Sequence, residues 1–149
     1  MFDKVYYMQK AIEEAYKAYD LLEVPVGAVI VKDNTIIGTG YNMKESRKDP
    51  VSHAEIEAIH NACKTIGDWR LNNCQLYVTA EPCIMCAGAI LHARIEKVYF
   101  GVCEPKFGGI ISKDNIFNKD LNHKVEYEFN IMNEEISKLM KDFFQKLRK

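Results

Sequence analysis

Two short clusters contain the residues that could do chemistry. The clusters are His53-Ala54-Glu55 and, thirty positions later, Pro82-Cys83-Ile84-Met85-Cys86. By residue type, His53, Cys83 and Cys86 are three zinc ligands, and Glu55 is a carboxylate that need not bind the metal. Three protein ligands leave the fourth position of a tetrahedral zinc site open for water, which distinguishes a catalytic zinc from a closed structural one. The pattern therefore favours a zinc hydrolase.

The two cysteines have the spacing of a metal-binding helix start. Because Cys83 and Cys86 are three residues apart, one helical turn places both sulfur atoms on the same side. We predict Pro82 at the first helical position, where a proline removes no intrahelical hydrogen bond. The positive end of the helix dipole would favour the thiolates that zinc requires. A redox pair or two buried cysteines is the alternative, and the presence of His53 favours the metal.

Glu55 has two competing interpretations. Ser52-His53-Ala54-Glu55 fits a capping box, in which the glutamate at the third helical position bonds back to the Ser52 backbone N–H. Helical residues two apart point to nearly opposite sides, so His53 and Glu55 share a site only at an irregular first turn. Because a zinc-bound water needs a nearby base, we favour catalysis by Glu55, and capping stays open.

The composition is that of one globular domain. The 149 residues suffice for one full core and are too few for two ordinary domains. No apolar run approaches the roughly 20 residues of a membrane helix, and the N-terminus does not resemble a signal peptide, so we expect a cytoplasmic protein. Five cysteines, an odd number, suit a reducing compartment and a metal better than disulfides. The net charge of -1 does not indicate a general nucleic-acid binder but allows a local basic patch.

Hydrophobic periodicity predicts the elements that position the two clusters. Helices are predicted over 2–22, 52–66 and 83–93, with a closing helix capped by Asn133. Strands are predicted over 24–31, 35–41, 75–80, 96–102 and 124–129, and 42–51 is predicted to be a loop. Helices alternating with strands indicate an α/β fold, a three-layer α/β/α sandwich with a five-stranded mixed sheet and helices on both faces. Both clusters then begin helices near the ends of central strands, where sites form in open α/β sheets.

A resemblance to a known family rests on these motifs and on longer segments. His-x-Glu with Pro-Cys-x-x-Cys is an established signature of zinc nucleobase deaminases. Segments 23–29, 49–50, 53–56, 77–89 and 122–126 resemble the bacterial tRNA-specific adenosine deaminases, which belong to the cytidine deaminase superfamily. The resemblance covers nearly the whole chain and is most specific at 79–89. Segment 103–107 (Cys-Glu-Pro-Lys-Phe) departs from the family pattern, and this loop could touch RNA.

The resemblance implies a fold, a cofactor and a reaction. It implies a cytidine deaminase-like domain over residues 1–149 that binds one Zn²⁺ per subunit and hydrolyses adenosine to inosine at the wobble position of a tRNA anticodon. Glu55 would pass the proton of water to N1 of adenine and then help the amino group leave as ammonia. Asn42 would bind adenine N7 or the ribose, unless it is an ordinary turn residue. Pro25, Val26 and Ala54 would line the base pocket, and strand packing explains the first two equally well.

The expected partners are a tRNA anticodon stem-loop and a second copy of the chain. Anticodon loops present unpaired bases that can enter such a pocket. Basic side chains that could contact phosphate are Lys106 and a cluster on the last helix, namely Lys141, Lys146, Arg148 and Lys149. A solvated helix end explains the cluster equally well. Family members are homodimers, and the apolar segment 84–91 is either an interface or ordinary core.

Two rival functions remain open from the sequence. A deaminase of a free base or nucleotide, such as guanine or cytosine, would use the same zinc chemistry. A non-catalytic RNA-binding module with a structural zinc would need a fourth protein ligand, and Cys63, Cys74 and Cys103 are available for it. None of the three has paired spacing, and each suits a buried apolar position.

Overall fold

The computed structural model describes residues 3–148, and within them five strands form one sheet. The strands are β1 (Gly27–Lys32), β2 (Thr35–Tyr41), β3 (Cys74–Ala80), β4 (Lys97–Val102) and β5 (Glu126–Glu128). Their order across the sheet is β2-β1-β3-β4-β5. Strand β1 is antiparallel to both β2 and β3, whereas β3, β4 and β5 run parallel. The predicted five-stranded mixed sheet is confirmed.

Helices cover both faces of this sheet. They are α1 (Lys4–Asp20), α2 (Lys44–Arg47), α3 (Ala54–Ile66), α4 (Ile84–Ala93) and α5 (Asn133–Leu147). On one face, Met8 of α1 and Ile136 of α5 share a buried cluster with Val29. On the other, Ala58 of α3 and Ile90 of α4 share a cluster with strand residues such as Ile30. Neighbouring strand residues supply opposite faces because side chains alternate along a strand, and the predicted three-layer arrangement is confirmed.

Small residues bring α3 unusually close to the sheet. A Cβ built on Gly38 would lie 2.6 Å from the Ala58 carbonyl oxygen, and one on Gly40 would lie 2.4 Å from that of Ala54. Ala54, Ala58 and Ala62 of α3 are fully buried. The helix backbone therefore rests directly on β2, which fixes the height at which the first turn of α3 meets the edge of the sheet.

Helix α1 and strand β1, the first two elements of the chain, differ from the prediction at their ends. Helix α1 stops at Asp20, because Leu22 has a φ of 60° and leaves the helical conformation. Its start is capped by Asp3, whose carboxylate accepts the Tyr6 N–H at 2.9 Å; the predicted first residue of the helix, position 2, lies outside the described residues. Strand β1 begins at Gly27 rather than position 24, since the Val26 N–H bonds back to the Val24 carbonyl at 2.8 Å.

Three later predictions are also corrected. The predicted loop 42–51 contains the short helix α2, and β5 is three residues long rather than six. Asn133 is not the cap of α5: Met132 holds that position with a φ of 56°, and Asn133 is the first helical residue. The Asn133 side-chain amide donates instead to the Gly101 carbonyl oxygen, 3.2 Å away, and so ties α5 to β4.

Candidate active site

The first cluster lies where α3 begins. His53 is the N-cap, with φ -85° and ψ 157°, and its side chain makes no capping hydrogen bond. Ser52 lies outside the helix: its N–H donates to the Asp49 carbonyl oxygen at 3.2 Å, and its hydroxyl donates to the Glu57 carboxylate at 3.0 Å. The capping box is therefore wrong, because Glu55 is at the second helical position and the Ser52 N–H is already bonded. Glu55 is 3% exposed.

The second cluster lies at the equivalent position of α4. Cys83 is the N-cap, with φ -70° and ψ 175°, and the helix begins at Ile84. Pro82 precedes the cap, so its predicted place at the first helical position is wrong. The Pro82 carbonyl oxygen instead accepts the Gly109 N–H at 2.8 Å. Each helix thus contributes its N-cap residue to one shared site, because the non-helical backbone of an N-cap lets its side chain turn away from the helix.

Three side chains from the two helix starts come together. His53 Nδ1 lies 3.6 Å from Cys83 Sγ and 3.5 Å from Cys86 Sγ. A tetrahedral zinc with ordinary Zn–N and Zn–S bonds separates nitrogen from sulfur by about 3.6 Å, so the three atoms fit a zinc ion. Among residues 3–148, this is the one group of three or more His, Cys, Asp or Glu side chains with metal-binding geometry.

Hydrogen bonds and burial set the charge of this cluster. Hydrogen bonds from Cys86 and His53 lower the pKa of the Cys83 thiol to about 4. The Cys86 pKa is raised, because its thiol bonds to the Cys83 sulfur and is buried. Burial raises the pKa of the Glu55 carboxyl to about 7. Zinc binding requires both thiolates and would therefore release the Cys86 proton.

A cavity of about 590 Å³ opens beside the cluster, within the range of roughly 300–1,000 Å³ typical of small-molecule sites. Its lining includes His53, Ala54, Glu55 and Cys83. Asn42 also lines it, directly after β2, and is 9% exposed. The arrangement places a candidate metal site, a buried carboxylate and an amide around one space large enough for a nucleobase.

The other predicted site residues lie in different places. Val26 lines the cavity, whereas Pro25 is buried next to it and does not. Lys106 is exposed on the loop whose neighbours Glu104 and Phe107 line the cavity. Lys146 lies over the Tyr19 ring, 5.0 Å from its centroid. Arg148 lines a separate shallow groove on α5, and Lys149 of the predicted basic cluster lies outside the described residues.

Sequence reasoning missed several residues that shape this cavity. Met140, Phe143 and Leu147 of α5 line it, and their three- and four-residue spacing is typical of any packed helix face. Glu23 and Glu81 line it as well and are almost fully buried. The sequence does contain a signal for these two residues, since each glutamate lies directly beside a predicted apolar strand. A carboxylate buried at such a position must have hydrogen-bond partners.

The remaining cysteines do not complete a four-ligand site. None of Cys63, Cys74 and Cys103 joins the cluster. The Cys63 thiol bonds to the Trp69 carbonyl oxygen at 3.7 Å, and the Cys74 thiol bonds to that of Asn72 at 3.5 Å. Within residues 3–148 the candidate set is therefore three protein side chains, of which His53 and Cys83 line the cavity. Three protein ligands are typical of a catalytic zinc site.

Comparisons with known proteins agree with this geometry. The family model of the MafB19-like deaminases matches residues 2–148. The tRNA-specific adenosine deaminase of Aquifex aeolicus is 47% identical, over 97% of this chain and 96% of its own length. The enzyme of the same name from Haemophilus influenzae is 48% identical, over 95% of this chain and 83% of its own. The chain belongs to the family of tRNA-specific adenosine deaminases.

Solved structures place this family member among related deaminases. One comes from work on A-to-I editing by tRNA deaminases at the wobble position of transfer RNA; it is 37% identical, with a TM-score of 0.87, over 90% of this chain and 98% of that one. A guanine deaminase from Bacillus subtilis is 31% identical, with a TM-score of 0.67, over 94% and 93% of the two chains. In the part of the chain that the structure describes, no helix has the length and apolarity to cross a membrane.

Proposed function

We propose that the protein hydrolyses adenosine to inosine at the wobble position of a tRNA anticodon, with one zinc ion per subunit held by His53, Cys83 and Cys86. One observation carries this proposal. The three ligand atoms have zinc spacing and lie beside the buried Glu55 carboxylate, at a cavity large enough for a base. The choice of adenosine in tRNA rests on the relatives that are 42–48% identical.

Glu55 is the proposed acid and base of the reaction. Zinc, when bound there, lowers the pKa of a water ligand toward neutrality and so supplies a nucleophile. The Glu55 carboxylate takes the proton of the attacking water and delivers it to N1 of adenine, which makes C6 electrophilic. The oxygen of the water bonds to C6, and Glu55 then takes the remaining proton of that oxygen and donates it to the amino group. The C6–N bond breaks, ammonia leaves, and C6 carries the carbonyl oxygen of inosine.

The remaining cavity residues would select and hold the base. Asn42 offers an amide that both donates and accepts, which suits adenine N7 or the ribose. Val26 and Ala54 supply apolar surface for the face of the ring. A base can enter such a cavity only after it leaves the stack, and an anticodon loop already presents unpaired bases.

Phosphate contacts would come from the basic side chains around the cavity. Leu147 lines the cavity, and its neighbours in sequence are Lys146, which lies over the Tyr19 ring, and Arg148, which lines the separate groove on α5. Lys106 is exposed and is the sequence neighbour of Phe107, which also lines the cavity. These positions support the proposed contacts of Lys106, Lys146 and Arg148 with the tRNA backbone.

A homodimer through α4 is the proposed assembly. This helix is apolar on its outer side as well as its inner one: Ile84 is 55% exposed, Met85 and Ala89 are half-buried, and a Cβ on Gly88 would meet nothing within 4 Å. Sedimentation should give the mass of a dimer for the wild type and of a monomer for Ile84→Glu. A monomeric wild type would rule out this assembly.

One assay separates the proposed reaction from its rivals. Purified protein is incubated with an anticodon stem-loop that carries a wobble adenosine and, in parallel, with free adenosine, guanine and cytosine. We expect inosine in the stem-loop and no comparable product from the free compounds. Product from guanine alone would instead assign the chain the activity for which the Bacillus subtilis structure is named.

A further inference from the structure

Glu81 is a buried carboxylate that the proposed reaction does not use. It follows the last residue of β3, precedes Pro82 and Cys83, and is 4% exposed. Its two oxygens accept the backbone N–H groups of Glu104 (3.0 Å), Ile110 (3.1 Å), Ile111 (2.8 Å) and Ser112 (3.0 Å), together with the Ser112 hydroxyl. One side chain therefore satisfies donors from both ends of the segment 103–112.

This segment, the wall loop (residues 103–112), forms part of the cavity. Glu104 and Phe107 line it, and Phe107 is 69% exposed. The loop also touches the metal-ligand turn directly, since Cys83 and Gly108 form an isolated β-bridge. Glu81 therefore lies where the end of a central strand, the Cys83 turn and the wall of the cavity meet.

The loop is shaped around the carboxylate. A Cβ built on Gly108 would lie 2.5 Å from the carboxyl carbon and from both oxygens of Glu81. Any side chain at position 108 would therefore push the carboxylate away from its donors. Because the wall loop has no regular secondary structure at these donors, the N–H groups of residues 110–112 depend on Glu81 for a protein partner. Hydrogen bonds to an ionised acceptor are roughly twice as strong as neutral ones.

We propose that Glu81 is a positioning residue that holds the wall loop against the Cys83 turn, so that Glu104 and Phe107 face the substrate in a fixed arrangement. The proposal rests on the proposed function, because the substrate it concerns is the RNA. Glu81 acts through the loop and not on the reacting atoms. Its loss should weaken substrate binding more than the chemical step, since preorganised groups bind without an ordering cost.

Two variants disturb the contact between Glu81 and the wall loop, one by changing the carboxylate and the other by changing the loop. Glu81→Gln keeps the size of the side chain, but its nitrogen cannot accept, so either the Glu104 donor or the three donors of residues 110–112 lose their partner. Gly108→Ala leaves the charge and displaces the carboxylate. Glu14→Gln is the control, because Glu14 is a buried carboxylate on α1 that pairs with Lys17 and does not line the cavity.

Amide hydrogen exchange and kinetics on the anticodon stem-loop together test the proposal. For Glu81→Gln and Gly108→Ala we expect at least tenfold faster exchange confined to the wall loop, at least tenfold higher KM, less than threefold lower kcat and one zinc per chain. The control should match the wild type in all four. Unchanged KM in folded, zinc-loaded variants, or faster exchange spread evenly over the domain, would overturn the proposal. A wild type without activity would refute the proposed function, and the exchange data would still decide whether Glu81 holds the loop.

Discussion

The two helix starts and the two loops that flank the cavity position their residues by different means. His53 and Cys83 are N-caps of α3 and α4, so regular helices packed on the sheet fix them. The wall loop and the segment around α2 have little regular structure. A buried carboxylate holds each one: Glu81 accepts from the wall loop, and Glu23 accepts from Glu45 and Ser46 at the start of α2. The candidate metal cluster therefore lies on regular elements of the fold, whereas a single buried carboxylate holds each of these two stretches of the cavity wall.

The largest expected effect is at the helix starts. Replacing Cys86 by Ala removes one of the three proposed ligands, and the two that remain should be too few to keep zinc. We expect less than one tenth of the wild-type zinc content by elemental analysis and no detectable inosine. Cys74→Ala, also a buried cysteine but outside the cluster, is the control and should retain both. Full zinc in the Cys86 variant would show that the ligand set is different.

A smaller effect is expected at the segment around α2. Glu23→Gln removes an ionised acceptor for the N–H groups of α2, and the free energy of unfolding should fall by about 1–3 kcal/mol, with zinc content unchanged. We expect a smaller rise in KM than for Glu81→Gln, because Glu23 accepts two backbone N–H groups, whereas Glu81 accepts four and the Ser112 hydroxyl as well. A rise in KM for Glu23→Gln that equals or exceeds the rise for Glu81→Gln would show that the wall loop does not depend more strongly on its carboxylate than the segment around α2 does.

The pH dependence of this destabilisation has a definite sign. Burial opposes ionisation of Glu23, but hydrogen bonds from Ser46 and Glu45 outweigh it and hold the pKa below the ordinary value of 4.5. A lowered pKa in the folded state stabilises the protein fully above the unfolded value and loses that stabilisation as pH falls through the folded value. Urea titrations should therefore show the wild type and Glu23→Gln differing most above pH 4.5 and converging in more acidic buffer.

The smallest effect is expected at the exposed cations of α5. Neutralising Lys146 and Arg148 together should lower the slope of log Kd against log salt by about 1–2 for the anticodon stem-loop, because each phosphate contact contributes a little under one. Catalysis at saturating RNA should stay within twofold. The pair Lys64→Gln and Arg70→Gln, both exposed near the far end of α3, is the matched control. An unchanged slope would remove α5 from the RNA interface.

The sequence predicted the helix starts far better than the loops. Ligand spacing and periodicity are local signals, so the metal cluster and the layered sheet followed from them. The errors at Ser52 and Pro82 were shifts of one and two residues at a helix boundary, where several capping patterns fit the same sequence. The partners of Glu81 are more than twenty residues away along the chain. No local pattern encodes such contacts. For the same reason, the helical spacing of Met140 and Phe143 indicates a packed face and does not indicate that they line the cavity.

The most direct test is a joint measurement of zinc content and inosine formation in Glu55→Gln. This change keeps the size of the side chain and removes only its ability to take up a proton. We predict one zinc per chain, a folded protein and a kcat lower by about 10²–10⁴, the usual contribution of a general acid and base. A variant that keeps zinc and deaminates the stem-loop at the wild-type rate would contradict the account, because the two helix starts would then form a metal site whose carboxylate takes no part in the reaction.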